Sequence, residues 1–105
     1  MEYPRLASNK GKIGSRKDPV TKEKRYFTIE DEIQKTQSNA NHKKIVLQKL
    51  KFHDNNEIQL RLGYYILGKL PRMKDKWTWG QYATFIPVSD FKSIYNKAIE
   101  GGWFN

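Results

Sequence analysis

Ile58-Gln59-Leu60-Arg61-Leu62-Gly63-Tyr64-Tyr65-Ile66 is the stretch on which the fold turns. The even positions Ile58, Leu60, Leu62, Tyr64 and Ile66 are apolar or aromatic, and Gln59, Arg61, Gly63 and Tyr65 stand between them. Alternation of period two predicts a strand with one face on a core and the other toward water. A helix would scatter the same residues around its circumference. Next comes Gly68-Lys69-Leu70-Pro71-Arg72-Met73-Lys74-Asp75-Lys76, in which Gly68 and Pro71 break the strand and four cations face one anion. Trp77-Thr78-Trp79-Gly80-Gln81-Tyr82-Ala83-Thr84-Phe85-Ile86 resumes with the aromatic and β-branched residues that strands favour. The span from Glu57 to Ile86 therefore reads as a hairpin-like unit whose loop pushes positive charge outward beside Tyr65, Trp77 and Trp79.

Working back, Ile45-Val46-Leu47-Gln48-Lys49-Leu50-Lys51-Phe52 is another strand, and His53-Asp54-Asn55-Asn56 turns it antiparallel to the first. On this reading Lys49, Lys51 and Arg61 share a sheet face, with Tyr65 on the face of Arg61. Residues 26 to 42 carry two readings. Thr28 suits a helix N-cap, and Phe27, Ile29 and Ile33 equally suit one face of a strand opposite Thr28, Glu30 and Glu32. Gln37-Ser38-Asn39-Ala40-Asn41 is a polar loop. Beyond Ile86 the period lengthens: Phe91, Ile94, Tyr95, Ala98 and Ile99 mark a helix, with Pro87 in its first turn and Ser89 or Asp90 serving its open amides. Gly101 and Gly102 end it, and Trp103 and Phe104 are expected to tuck against the sheet or a second subunit.

A chain of 105 residues with 37% apolar content supports one modest core. Residues 1–24 read as a disordered basic tail, rich in Lys, Arg, Gly and Ser, with Leu6, Ile13 and Val20 too sparse to bury. Residues 25–105 form the folded domain. Twenty Lys and Arg against eleven Asp and Glu leave a net charge of +9, which favours a polyanionic partner, nucleic acid ahead of a membrane surface. A charged face kept for solubility accounts for the same composition. The absence of cysteine excludes disulfides, a thiol nucleophile and Cys-ligated zinc. No apolar run approaches the ~20 residues of a membrane span, and the expected setting is cytoplasmic.

The order strand, strand, strand, strand, helix behind a basic tail resembles the positive cofactor four family of transcriptional coactivators, including its bacterial members. Ile58-Gln59-Leu60-Arg61 followed by Tyr64-Tyr65 resembles that family's third strand. Ala83-Thr84-Phe85-Ile86-Pro87-Val88-Ser89-Asp90-Phe91 resembles its last strand entering the helix. The likeness spans about residues 24–100 and tips residues 26–36 toward strand. It implies an α+β fold, a four-stranded antiparallel curved sheet followed by a C-terminal helix, a homodimer, and binding of single-stranded DNA. Two features depart from the family: the longer loop before Trp77-Thr78-Trp79-Gly80-Gln81, and the terminal Gly101-Gly102-Trp103-Phe104.

Binders of single strands need cations to follow phosphates and flat groups on which bases stack. Lys49, Lys51, Arg61, Lys69, Arg72, Lys74 and Lys76 are the expected cations, and Tyr65 and Trp77 the expected platforms. Each has a plainer reading, the lysines as a solvated strand face and Trp77, Trp79 and Phe85 as core. The expected function is non-catalytic binding of single-stranded DNA or RNA in transcription, replication or repair, without cofactor, metal, membrane or small-molecule substrate. One alternative is a protein-interaction module of the phage host-takeover kind. A small nuclease subunit is the other, for which Asp54, Glu57 and Gln59 offer a faint metal-binding pattern.

Overall fold

The computed structural model describes residues 4–68, 76–80 and 83–104. Among these residues five strands, β1 (Ile13–Lys17), β2 (Lys24–Gln37), β3 (Ala40–Phe52), β4 (Ile58–Leu67) and β5 (Trp77–Trp79), precede one helix, α1 (Val88–Glu100). The strands lie in chain order, each antiparallel to the next, in a single curved sheet. The class is therefore α+β, as expected. No helix among the described residues is long and apolar enough to cross a membrane.

The expected strand count is corrected from four to five. The added strand, β1, lies in the stretch read as tail. Composition misses it because β1 holds its place through main-chain pairing from Ile13↔Thr28 to Lys17↔Lys24 and needs few buried side chains of its own. Gly14 crosses directly over Phe27, where a Cβ would stand 2.7 Å from the ring's Cζ. The β1–β2 connection is built by Asp18, whose carboxylate accepts from the amides of Val20 at 2.8 Å and Thr21 at 2.9 Å. The Thr21 and Val20 amides hold Asp18 below the ordinary aspartate pKa. Lys22, at φ 63°, completes the turn.

Residues 26–36 are strand, as the resemblance implied. β3 starts earlier than expected, at Ala40, because the connection is a tight turn in which Gln37 Nε2 donates to Asn39 Oδ1 at 2.6 Å. At the β3–β4 turn, Asn56 takes φ 58° and its amide donates to Phe52 O at 2.9 Å. β5 stops at Trp79 rather than continuing to Ile86. Gly80 lies against the Tyr64 ring, where no Cβ would fit, and its amide donates to Tyr64 O at 2.8 Å.

Register sorts the side chains into two faces. On one, Phe27, Ile29, Leu50 and Phe52 form a buried cluster, with the two phenyl rings edge to face at 5.5 Å. This is the groove face. On the other, α1 packs against β2, burying Ile94 and Ala98, and Ile45 is sealed within the sheet. Trp103 is buried on this helix face, its indole donating to Asp31 Oδ2 at 3.1 Å. Phe104 stays half exposed. Among the described residues helix α1 has no side-chain cap bond. Asp90, expected to serve the first turn, is buried and instead accepts from the Ser38 amide at 2.9 Å and hydroxyl at 3.1 Å, tying the helix start to the β2–β3 turn. Gly101 and Gly102 close the helix as expected, with Gly102 at φ 74°.

Candidate functional site

Pairing of β3 with β4 decides which expected residues meet. Gln48 pairs with Arg61, Lys49 with Leu60 and Lys51 with Ile58. Paired residues of antiparallel strands point to the same face. Arg61 therefore stands with Gln48 on the groove face, while Lys49 and Lys51 stand with Leu60 and Ile58 on the helix face. The expectation that the three cations share a face is corrected. The turn from Phe52 to Glu57 encloses four residues, an even number, so odd positions of one strand pair with even positions of the other.

Tyr65 does lie on the face of Arg61, and Trp79, its partner across β4 and β5, joins it. The Arg61 guanidinium lies 4.7 Å from the Trp79 ring centre and 5.1 Å from that of Phe27. Trp79 comes this close because Gly63, two residues before its partner Tyr65 on the same face, has no side chain: a Cβ there would overlap the indole. Arg61 donates to Gln48 Oε1 from Nε at 2.9 Å and from Nη2 at 2.7 Å. Gln48, fully buried, passes the interaction on by donating to Glu32 Oε2 at 2.6 Å. Gln34 and Asn9 also donate to Glu32. Burial alone would raise the Glu32 pKa, but the bonds from Gln48, Gln34 and Asn9 outweigh it and hold the carboxyl below its ordinary value. Burial draws Arg61 below the ordinary arginine value, against the pull of Tyr65 and Glu32. Tyr65 is raised, first by burial and then by the Glu32 charge.

The N-terminal segment crosses part of this face. Trp77 donates from its indole to Pro4 O at 2.7 Å, Gln34 reaches Ala7 O at 3.3 Å, and Asn9 touches both Glu32 and the Tyr65 hydroxyl. Trp77 and Tyr65, expected as platforms, are thus half buried and already engaged. Lys44 stands over Trp77 at 5.6 Å. Lys76 is exposed just before β5. Lys69, Arg72 and Lys74 lie outside the described residues.

A cavity of about 190 Å³ remains between β1 and β4. Its floor is Phe27, Leu50 and Phe52, and its walls are Ser15 and Arg16 on one side and Gln59, Leu60 and Arg61 on the other. Beside it Arg25 lies 4.2 Å from the Phe52 ring centre and grips Asp54 through Nε at 2.9 Å and Nη2 at 3.1 Å. The Arg25 bond lowers the Asp54 pKa. Glu57 lies 3.9 Å from the same guanidinium. Asp54 and Glu57, the carboxylates of the nuclease alternative, therefore face an arginine.

Sequence reading missed Arg16, Arg25, Lys44 and the Glu32–Gln48 relay. Arg25 and Arg16 escape it because they sat in or beside the presumed tail; they pair directly across β1 and β2. Gln48 was within reach, since the four-residue turn alone places it opposite Arg61. No family model, curated protein or solved structure matches the chain.

Proposed function

We propose that this protein is a non-catalytic binder of single-stranded nucleic acid, DNA first, acting in transcription, replication or repair as a homodimer, as the positive cofactor four resemblance implies. The observation that carries this reading is the series of cation–aromatic pairs along the groove face: Arg25 on Phe52, Arg61 on Phe27 and Trp79, and Lys44 on Trp77. Guanidinium groups held over aromatic rings suit the stacking of unpaired bases, and the neighbouring charges suit phosphates. Arg61 spends its hydrogen bonds on Gln48, so its role is to present a plane. Arg16, Lys44 and Lys76 supply the phosphate contacts, together with Lys69, Arg72 and Lys74. A protein-interaction module is the second reading, favoured by Phe85, 95% exposed ahead of α1, and Val88, 85% exposed at the first residue of α1.

Titration of fluorescent single- and double-stranded oligonucleotides at several salt concentrations tests the proposal. Single strands should bind tighter, and each phosphate contact should add about 0.7 to the log–log salt slope. Arg16→Ala with Lys44→Ala should flatten the slope by about two such steps, as should Arg72→Ala with Lys74→Ala. Equal affinity for duplex, or a slope untouched by both double variants, would sink the proposal.

A further inference from the structure

Part of β4 has no strand paired to its outer edge among the described residues; Ser15 and Arg16 of β1 face Gln59, Leu60 and Arg61 across the cavity without pairing to them. β5 pairs only with Tyr65, Ile66 and Leu67, and Gly80 takes the carbonyl of Tyr64. Two main-chain bonds fix which groups point outward on the rest. Phe52 N donates to Glu57 O, so odd-numbered residues turn their main chain toward β3, whereas Tyr64 O accepts from Gly80 on the other side. Main-chain direction alternates along a strand. Ile58, Leu60 and Leu62 thus present their amides and carbonyls to the outside, and no loop or turn main-chain bond among the described residues reaches them. Their side chains form a row on the helix face, 46%, 44% and 44% exposed. An open edge with an apolar row invites another strand.

We infer that this edge pairs with the same edge of a second copy, antiparallel about a two-fold axis through Leu60, joining two sheets into one. The register follows from chemistry. Centring on Leu60 sets Ile58 against Leu62 of the second copy, so all three outward residues of each chain find partners. On the groove face it sets Gln59, an acceptor, against Arg61, whose Nε and Nη2 serve Gln48 and whose Nη1 is left to donate. Centring on Arg61 would oppose two guanidinium groups and set Ile58 against Tyr64, whose carbonyl Gly80 holds. A centre at Leu62 would need Tyr64, whose carbonyl Gly80 holds. A centre at Ile58 would need Asn56, committed to the β3–β4 turn. Lys49 neighbours Leu60, so the two copies of Lys49 stand three strand spacings apart, about 14 Å. That exceeds the Debye length of about 8 Å at physiological salt. The inference rests on the homodimer part of the functional reading and specifies its interface; the two grooves would then adjoin.

The chain has no cysteine, so single-cysteine variants report the interface cleanly. Facing residues of a hydrogen-bonded antiparallel pair have Cα atoms about 5.5 Å apart, within disulfide reach. Under oxidised glutathione without nucleic acid, Leu60→Cys should form a disulfide dimer in most chains. Ile58→Cys and Leu62→Cys should each form no disulfide alone and cross-link when mixed, and Asn96→Cys on the helix should not cross-link. Sedimentation at tens of micromolar should give a dimer for the wild type, undiminished by added salt, and a monomer for Leu60→Lys with an unchanged circular dichroism spectrum. A wild-type monomer overturns the inference and the homodimer together. A dimer that survives Leu60→Lys and cross-links instead through Tyr95→Cys overturns the edge and spares the homodimer. Cross-linking of Ile58→Cys alone overturns the register. Nucleic-acid binding is read separately, so its loss alongside Leu60→Cys cross-linking counts against the binding reading only.

Discussion

Replacing Gly63 by alanine tests the arrangement at the centre of the groove face. The added methyl would overlap Cη2 and Cζ2 of Trp79 and stand 3.2 Å from Cζ3. The indole must then shift from Arg61, now 4.7 Å from its ring, and from Tyr65, whose ring centre lies 5.1 Å away, edge to face. A cation–aromatic contact contributes about 0.5–2 kcal/mol and an aromatic pair about 0.5–1.5 kcal/mol. Partial loss of both predicts a cost of about 2 kcal/mol, within the ~1–3 kcal/mol typical of overpacking. At a urea dependence of about 1.5 kcal/mol per molar, the midpoint should fall by about 1.3 M. Near-UV circular dichroism should lose part of its tryptophan signal. The same change made in a Trp79→Ala background should be neutral or stabilising by about 0.5 kcal/mol, since only glycine's backbone freedom is then removed. An equal cost in both backgrounds would refute the packing argument.

Three further outcomes are expected. Glu32 has a lowered pKa in the folded state, so its contribution to stability is full above the unfolded glutamate pKa and is lost as pH falls through the folded value. The melting temperature of the wild type should drop more steeply between about pH 5 and 3 than that of Glu32→Gln; parallel profiles would count against the relay. Asp90→Ala leaves the Ser38 amide without its partner and should cost about 1–3 kcal/mol by chemical denaturation, more than Ser38→Ala, which removes only the hydroxyl. Amide exchange should show protection at Ile29 and Gly11, whose amides bond across the β1–β2 edge to Lys12 O at 2.9 Å and Ile29 O at 2.7 Å; free-chain exchange at Gly11 would return this stretch to a tail.

The hairpin from Ile45 to Ile66, the helix and its glycine stop were legible because each rests on a local period or a local turn. β1 was not legible, because an edge strand can be held by its neighbour's main chain while its own side chains, such as Ser15, Arg16 and Lys17, remain exposed. β5 was read too long for the opposite reason: its aromatic composition persists to Phe85, but pairing ends where Gly80 bends onto Tyr64. The site was partly legible. Arg61 and Tyr65 were read onto one face from parity, whereas Trp77 and Trp79 were grouped with each other and not assigned to that face. The lysines of β3 were placed on the wrong side of the sheet because turn length, and not charge, sets the pairing.

The alternation in β4 locates a core on the wrong face, and the reason bears on function. Leu60 and Leu62 are more exposed than Arg61 and Tyr65, which alternate with them. Polar Arg61 goes inside because three things meet on that side: aromatic rings to stack against, Gln48 to receive its donors, and Glu32 to balance its charge. Buried charge is tolerated only with such a set of partners. The apolar row, conversely, lies beyond the reach of α1, which packs on β2. Three aliphatic side chains nearly half exposed on one strand face are costly in isolation and cease to be so when a second copy covers them. The strand that carries the arginine of the groove is therefore also the strand with the unfilled edge. The proposed ligand face and the proposed assembly edge share one strand, so occupancy of the groove and pairing of the edge would constrain the same nine peptide bonds from Ile58 to Leu67.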